Sequence, residues 1–147
     1  NNHLESNKIE ASEKAIYQEM IDTPNKENIA SGSRMLLKKL TEASAIRASQ
    51  ADSLVSYIKE LQGEKVVVCG DFNDSPVSYA HRVVGQYLQD AFAQSGNGLG
   101  ISYRENRFYF RIDHVVLSKN MKSYECTVDR SVKASDHYPI WCYISLE

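Results

Sequence analysis

Five consecutive residues, Val66-Val67-Val68-Cys69-Gly70, constrain this chain more than any other segment. The run is β-branched and too apolar for the edge of a sheet, so it predicts a short central strand. The longest periodic stretch leads into it. Leu36, Leu40, Ala43, Leu54, Ile58 and Leu61 recur at helical spacing from about Ser33 to Leu61, and Gln62-Gly63 ends the pattern. Arg47 and Gln50 interrupt that apolar stripe, and a buried guanidinium needs partners. Hydrogen bonds to neighbouring loops are the expectation for both, with contact to a substrate phosphate as the alternative. After the strand come Asp71-Phe72-Asn73-Asp74. Ser75 and Pro76 then predict a second helix, capped at Ser75 and burying Val77, Ala80, Val84, Tyr87 and Leu88.

The other elements are shorter. Residues 1–6 read as the tail of a strand, and 12–22 as a helix stopped by Thr23-Pro24. A polar loop should run to about Gly32, and 95–100 form a turn region. Strands are expected over 107–118, 123–130 and 138–145, with Ser135-Asp136-His137 in a loop. No repeat or linker divides the chain into more than one unit.

Composition narrows the function classes. Hydrophobic residues make up 42% and charged residues 24% of 147 positions, as in globular domains. No apolar run reaches the length that crosses a bilayer. A net charge of −2, with no basic block longer than Lys38-Lys39, argues against a dedicated duplex nuclease while leaving room for one basic groove. Cys69, Cys126 and Cys142 are too few and too scattered for a disulfide framework or a zinc site, and read as small buried hydrophobes.

The polar residues of interest stand at strand ends, where loops present them and the sheet holds them. Asp71 and Asn73, two apart after the central strand, can address one small site. The carboxylate can take a proton from water or touch a cation, and the amide can donate to a developing oxyanion. Asp136 and His137 offer an oxygen ligand for a hard cation and an imidazole, provided the loop bends. Asp113 lies in an otherwise apolar strand, where a carboxylate needs a partner such as an imidazole. His114 alternates to the opposite face and His81 sits on the second helix, and both are read as structural. Each segment alone is also common in proteins where no chemistry occurs.

Together they say more. Gly70-Asp71-Phe72-Asn73, Arg111-Ile112-Asp113-His114-Val115 and Ser135-Asp136-His137-Tyr138-Pro139, in that order, resemble the last three catalytic motifs of the endonuclease/exonuclease/phosphatase superfamily. Asn2-His3-Leu4-Glu5-Ser6 resembles the motif before them. The resemblance implies an α/β fold, a two-sheet sandwich flanked by helices in four layers (α/β/β/α), here truncated at the N-terminus. It further implies a metal-dependent hydrolase of phosphate esters using Mg²⁺ or Mn²⁺. Asp71 would activate the attacking water, Asn73 would stabilise the transition state, and Asp136, with Asp71, would hold the metal. His137, oriented by Asp113, would contact the scissile phosphate, and His3 would be a second phosphate contact or proton donor. The family pattern also uses an Asn and a metal-binding Glu upstream of His3, so the implied partner is the missing N-terminal part of the domain. A catalytically silent binding module of the same fold is the competing class. Retention of Asp71, Asn73, Asp113, Asp136 and His137 favours the enzyme.

Overall fold

A computed structural model describes residues 1–7, 11–105 and 109–145. The elements run β1 (Asn2–His3), α1 (Ala11–Asp22), α2 (Lys26–Glu60), β2 (Val67–Asp71), α3 (Tyr79–Gly85), β3 (Leu88–Asp90), α4 (Ala91–Ser95), β4 (Asp113–Ser118), β5 (Lys122–Val128) and β6 (Ile140–Ser145). Four strands form one sheet in the order β1-β2-β4-β3, with β1 parallel to β2 and the other pairs antiparallel. β5 and β6 form a separate antiparallel pair. The apolar run therefore sits inside a sheet, flanked on both sides.

Strand alternation divides the core in two. Val68 and Val116, register partners, face α2 and α3 together with Ala51, Val55, Ile58, Phe72, Ala80, Val84 and Leu88. Cys69 and Val115, the next pair, face the other way with Leu117, toward Phe92, Met121, Cys126, Ile140, Cys142 and Ile144. The molecule is thus a mixed α/β structure with α2 and α3 on one face of the four-stranded sheet and the β5–β6 pair, with α4, on the other. All three cysteines are free and pack with that second cluster, and burial pushes the Cys126 thiol up to about 12.

Several boundaries depart from the sequence-based expectation. α2 begins at Lys26 rather than Ser33, so much of the expected polar loop is helix. Gly32, which signals a loop in sequence, instead lets two helices approach: a Cβ there would lie 3.0 Å from Met20 Sδ of α1. At about 1.5 Å per residue, the 35 residues of α2 outrun strands of five or six residues. Its C-terminal half covers the sheet, while Leu36 and Leu40 project past it, Leu40 remaining exposed. The second helix starts at Tyr79 with Ser78, not Ser75, as its cap; Ser78 Oγ accepts from the His81 amide. Pro76 and Val77 lie in the preceding turn, Val77 fully at the surface, and Leu88 belongs to strand β3. The chain is held in that turn because the Asp74 side chain accepts from the Ser75 amide and is tied to α2. β1 spans only two of the six residues expected. β4 begins at Asp113, while residues 107 and 108 fall outside the described ones. β5 and β6 are each shorter than expected. Among the described residues no helix is long and apolar enough to cross a membrane.

Candidate active site

The register of the sheet assembles the site. His3 pairs with Asp71 and Asp71 pairs with Asp113, so three candidate residues stand side by side across β1, β2 and β4. Residues in register point to the same face. His3 Nε2 lies 3.6 Å from Asp71 Oδ2, with the imidazole exposed and the carboxylate largely covered. Leu4 N–H donates to the Asp71 carbonyl at 2.9 Å and extends the β1 pairing by one bond.

Asp71 and Asn73 close a tight turn. The Asn73 amide donates to Asp71 Oδ1 at 2.7 Å, and Asn73 Nδ2 donates to Asp71 Oδ2 at 2.9 Å. Asn73 has φ +51, a left-handed conformation that Asn tolerates better than most residues. Its Nδ2 also donates to the Leu4 carbonyl at 3.0 Å. Both amide protons are therefore engaged, and donation to a developing oxyanion needs one of these bonds to yield. Phe72, wholly buried, pins the turn to the core, and its N–H donates to the Ile112 carbonyl. Trimming it to Ala should cost about 3–5 kcal/mol.

Asp113 and His137 meet directly. His137 Nδ1 lies 2.8 Å from Asp113 Oδ2. An ionised carboxylate only accepts, so Nδ1 carries the proton and Nε2 is left for the cavity. Ser102, wholly buried, accepts from both the Ile112 and Asp113 amides and fixes the start of β4. The loop before β6 bends, as the sequence reading required: His137 N–H donates to Ser135 Oγ, and Ser135 Oγ–H to Asp136 Oδ1. Arg104 holds that loop, donating from its backbone N–H to the Asp136 carbonyl and from Nη2 to the Ser135 carbonyl, with its guanidinium over Tyr138.

His3, Asp71, Asn73, Asp136 and His137 share one cavity of about 430 Å³. Its other wall is apolar, made by Leu36 and Leu40 of α2 with Tyr103, Phe110 and Ile112, and Lys14 stands at its rim. The Tyr103 ring meets His137 edge-on at 5.1 Å between centroids. Arg104, Tyr103 and Lys14 were not singled out from the sequence. None carries a motif, and each reaches the site only through folding.

A divalent cation suits this donor set. The Asp71 carboxyl is held above its usual range, first by burial and also by the neighbouring Asp113 carboxylate, with the Asn73 amide acting the other way. Two carboxylates side by side in a half-buried site are the arrangement that a hard cation neutralises. Atoms of Asp71, Asp113 and His137 lie within 4.8 Å of one another, as metal ligands would. The bond between Asp113 and His137 Nδ1 makes that pair an orienting unit, which leaves Asp71 as the group member free to meet a cation. Asp136 lies outside it, at the exposed mouth of the same cavity.

Behind the sheet lies a second polar cluster. Asp90 accepts from Arg111 Nη1 at 3.0 Å and Nη2 at 2.6 Å, and its Oδ2 lies 2.9 Å from His81 Nε2. These partners hold its carboxyl far below the usual range. His114, wholly buried, takes Arg111 Nη1 at 3.2 Å on Nδ1 and reaches the Asp74 carbonyl with Nε2 at 3.0 Å. His81, Asp90 and His114 also have metal-ligand spacing, but the Arg111 guanidinium already occupies the space. Arg47, buried in α2, donates to Asp74 Oδ2, the Glu5 carbonyl and Asn7 Oδ1, and Gln50 accepts from the Glu5 amide. Both interruptions of the helical stripe thus bind loops.

Comparison with known proteins follows the same lines. The structure is similar to an endonuclease/exonuclease/phosphatase from Bacteroides vulgatus, with TM-score 0.61 and 23% identity, over 71% of this chain and 45% of that one. It is also similar to a functionally unknown conserved protein from Enterococcus faecalis V583, with TM-score 0.61 and 16% identity, over 71% and 46%. A mannosyl-6-phosphatase from Bacteroides thetaiotaomicron VPI-5482 aligns with TM-score 0.55 and 22% identity, over 69% and 46%. At these identities the likeness establishes the fold, and the chain spans under half the length of each. Among curated proteins no match is found. A sequence profile described as the endonuclease/exonuclease/phosphatase family matches residues 33–137, more than half of the chain. The protein belongs to the endonuclease/exonuclease/phosphatase family, which includes metal-dependent phosphoesterases and nucleases.

Proposed function

We propose that this chain carries the water-activating and phosphate-binding part of a phosphoesterase dependent on Mg²⁺ or Mn²⁺. The reading rests on one observation above others: the Asp113–His137 pair at 2.8 Å stands beside Asp71 at the same end of the sheet. His137 Nε2 faces the cavity and hydrogen-bonds a phosphoryl oxygen. Asp71, kept basic enough by burial and by Asp113 to accept a proton, takes it from the attacking water. His3, exposed beside Asp71, protonates the departing oxygen. Asn73 turns one amide proton from Asp71 toward the equatorial oxygens as charge develops there.

Members of the family typically depend on a divalent metal. Asp136 and Asp71 would hold it, and when bound it supplies charge neutralisation on the phosphoryl oxygens. By the family pattern, the remaining ligand, a Glu, and a further Asn would come from a part of the domain preceding His3, which would also carry roughly the first sheet. Coverage of under half of the matched structures is consistent with a longer domain. The substrate is a small phosphate ester. A cavity of about 430 Å³ suits one, and a net charge of −2 does not favour a nucleic-acid duplex. One of the similar structures is described as a mannosyl-6-phosphatase.

The test uses the complete domain with p-nitrophenyl phosphate and bis-p-nitrophenyl phosphate. Hydrolysis should need Mg²⁺ or Mn²⁺ and stop on chelation. Turnover that survives chelation would overturn the assignment. Phosphate binding with no turnover of either ester would instead favour a silent binding module.

A further inference from the structure

The geometry points to His114 as a positioning residue: its Nε2–H holds the Asp74 carbonyl and thereby fixes the turn that presents Asp71 and Asn73. This inference rests on the phosphoesterase reading of the Asp71 turn, and one arm of its test does not.

The tautomer of His114 follows from its two partners. The Asp74 carbonyl can only accept, so Nε2 carries a proton. The Arg111 guanidinium can only donate, so Nδ1 carries none. Arg111 cannot turn away, because Asp90 grips it through two parallel bonds. Asp90 is itself fixed: it caps α4 by accepting from the Phe92 and Ala93 amides, and it meets His81. The imidazole is further packed against the rings of Phe72 and His81, at 5.0 and 4.6 Å between centroids. A chain of directed bonds thus runs from α4 through Asp90, Arg111 and His114 to the backbone of Asp74.

Asp74 is the residue after Asn73, and it is held from a second direction. Arg47 takes its carboxylate at 3.0 Å, anchored in turn on Glu5 and Asn7. Sheet and helix therefore fix Asp74 from opposite sides. Asp74 directly follows Asn73, so holding its carbonyl and its side chain anchors the outgoing end of the turn in which left-handed Asn73 donates to Asp71. The His114 ring is not among the residues that line the cavity. Its hydrogen bonds go to Arg111 and to the Asp74 carbonyl, so its side chain bears on the reaction through this turn. Misplacing catalytic groups by about 1 Å can cost about 10²-fold in rate.

Two measurements test the inference. The first is nitrogen NMR of the His114 ring in this chain at neutral pH, which needs no activity. It should show a bare Nδ1 and an Nε2–H protected from exchange. An Nδ1–H tautomer or an imidazolium would overturn the inference whatever the protein catalyses. The second is kinetic, in the complete domain with Mg²⁺ and p-nitrophenyl phosphate. His114→Phe should lower kcat by about 10- to 100-fold with KM nearly unchanged. His114→Gln, which offers a donor nitrogen at similar reach, should recover most of that loss. Should the phenyl ring prevent folding, His114→Asn takes its place, its amide being too short to reach Asp74. Equal kcat in the Gln variant and the non-donating variant would overturn the inference. Wild-type inactivity would overturn the phosphoesterase reading instead, leaving the ring tautomer as a separate result.

Discussion

Asp113 can only accept from His137, and the orientation of the imidazole depends on that. Asp113→Asn keeps the shape but offers an amide N–H to Nδ1, which selects the wrong tautomer. Hydrolysis by the complete domain should fall by about 10²–10⁴-fold, read as kcat against wild type. Asp71→Ala and His137→Ala should cost at least as much, and full activity in either would contradict their roles. His114 makes a different prediction, about stability. Burial holds its imidazole at about 4, against an ordinary 6.5. The unfolded chain therefore takes up the proton first, and stability falls as pH drops from about 6.5 toward 4. The loss in that window should reach about 3 kcal/mol, measured by urea unfolding between pH 7 and pH 4. His114→Gln should flatten the slope. The placement of the candidate residues was largely legible in sequence, since Asp71, Asn73 and Asp113 stand at or just beyond strand ends. Arg104 and Lys14 were not, because an isolated cation on an irregular stretch or a polar helix announces no partner.

β1 is the smallest element and the most demanding of its neighbour. It approaches β2 at Gly70, whose φ of +144 is open to glycine and whose missing side chain makes room for the Asn2 backbone. A Cβ there would collide with the Asn2 carbonyl oxygen. Gly70→Ala should therefore displace β1 while β2 stays paired with β4. Amide exchange should quicken at Leu4, and activity should fall as His3 leaves Asp71. Unchanged protection at Leu4 would show that the strand adapts. Elements with a long apolar period, α2 and β2, were legible because burial repeats along them. β3 was not, since three residues carry no period and Leu88 suits a helix face as well as a strand. The start of α3 misled for a related reason: Ser75-Pro76 and Ser78 both offer helix-cap chemistry, and only the ties on Asp74 decide between them.

The whole molecule leaves apolar surface uncovered where the second sheet turns outward. Trp141, Tyr143 and Tyr124 are each 41–62% exposed, while the intervening Cys142 and Ile144 face the core. Patches of this kind, beside strands with few neighbours, favour association. Sedimentation of this chain alone should show concentration-dependent self-association, and metal titration should give weak Mg²⁺ binding. A monomer that binds Mg²⁺ in the micromolar range would contradict the expected dependence on upstream residues. The parallel pairing of Asn2 with Gly70 has a temporal consequence as well. Nearly half of the chain separates the two, and closing so long a loop delays a contact. α2, built from local contacts, can form early, whereas His3 reaches Asp71 only after the intervening chain has collapsed. In a pulse-labelled refolding experiment the Leu4 amide should be among the last to gain protection, so the chain passes through a nearly folded stage in which its chemistry is still unassembled.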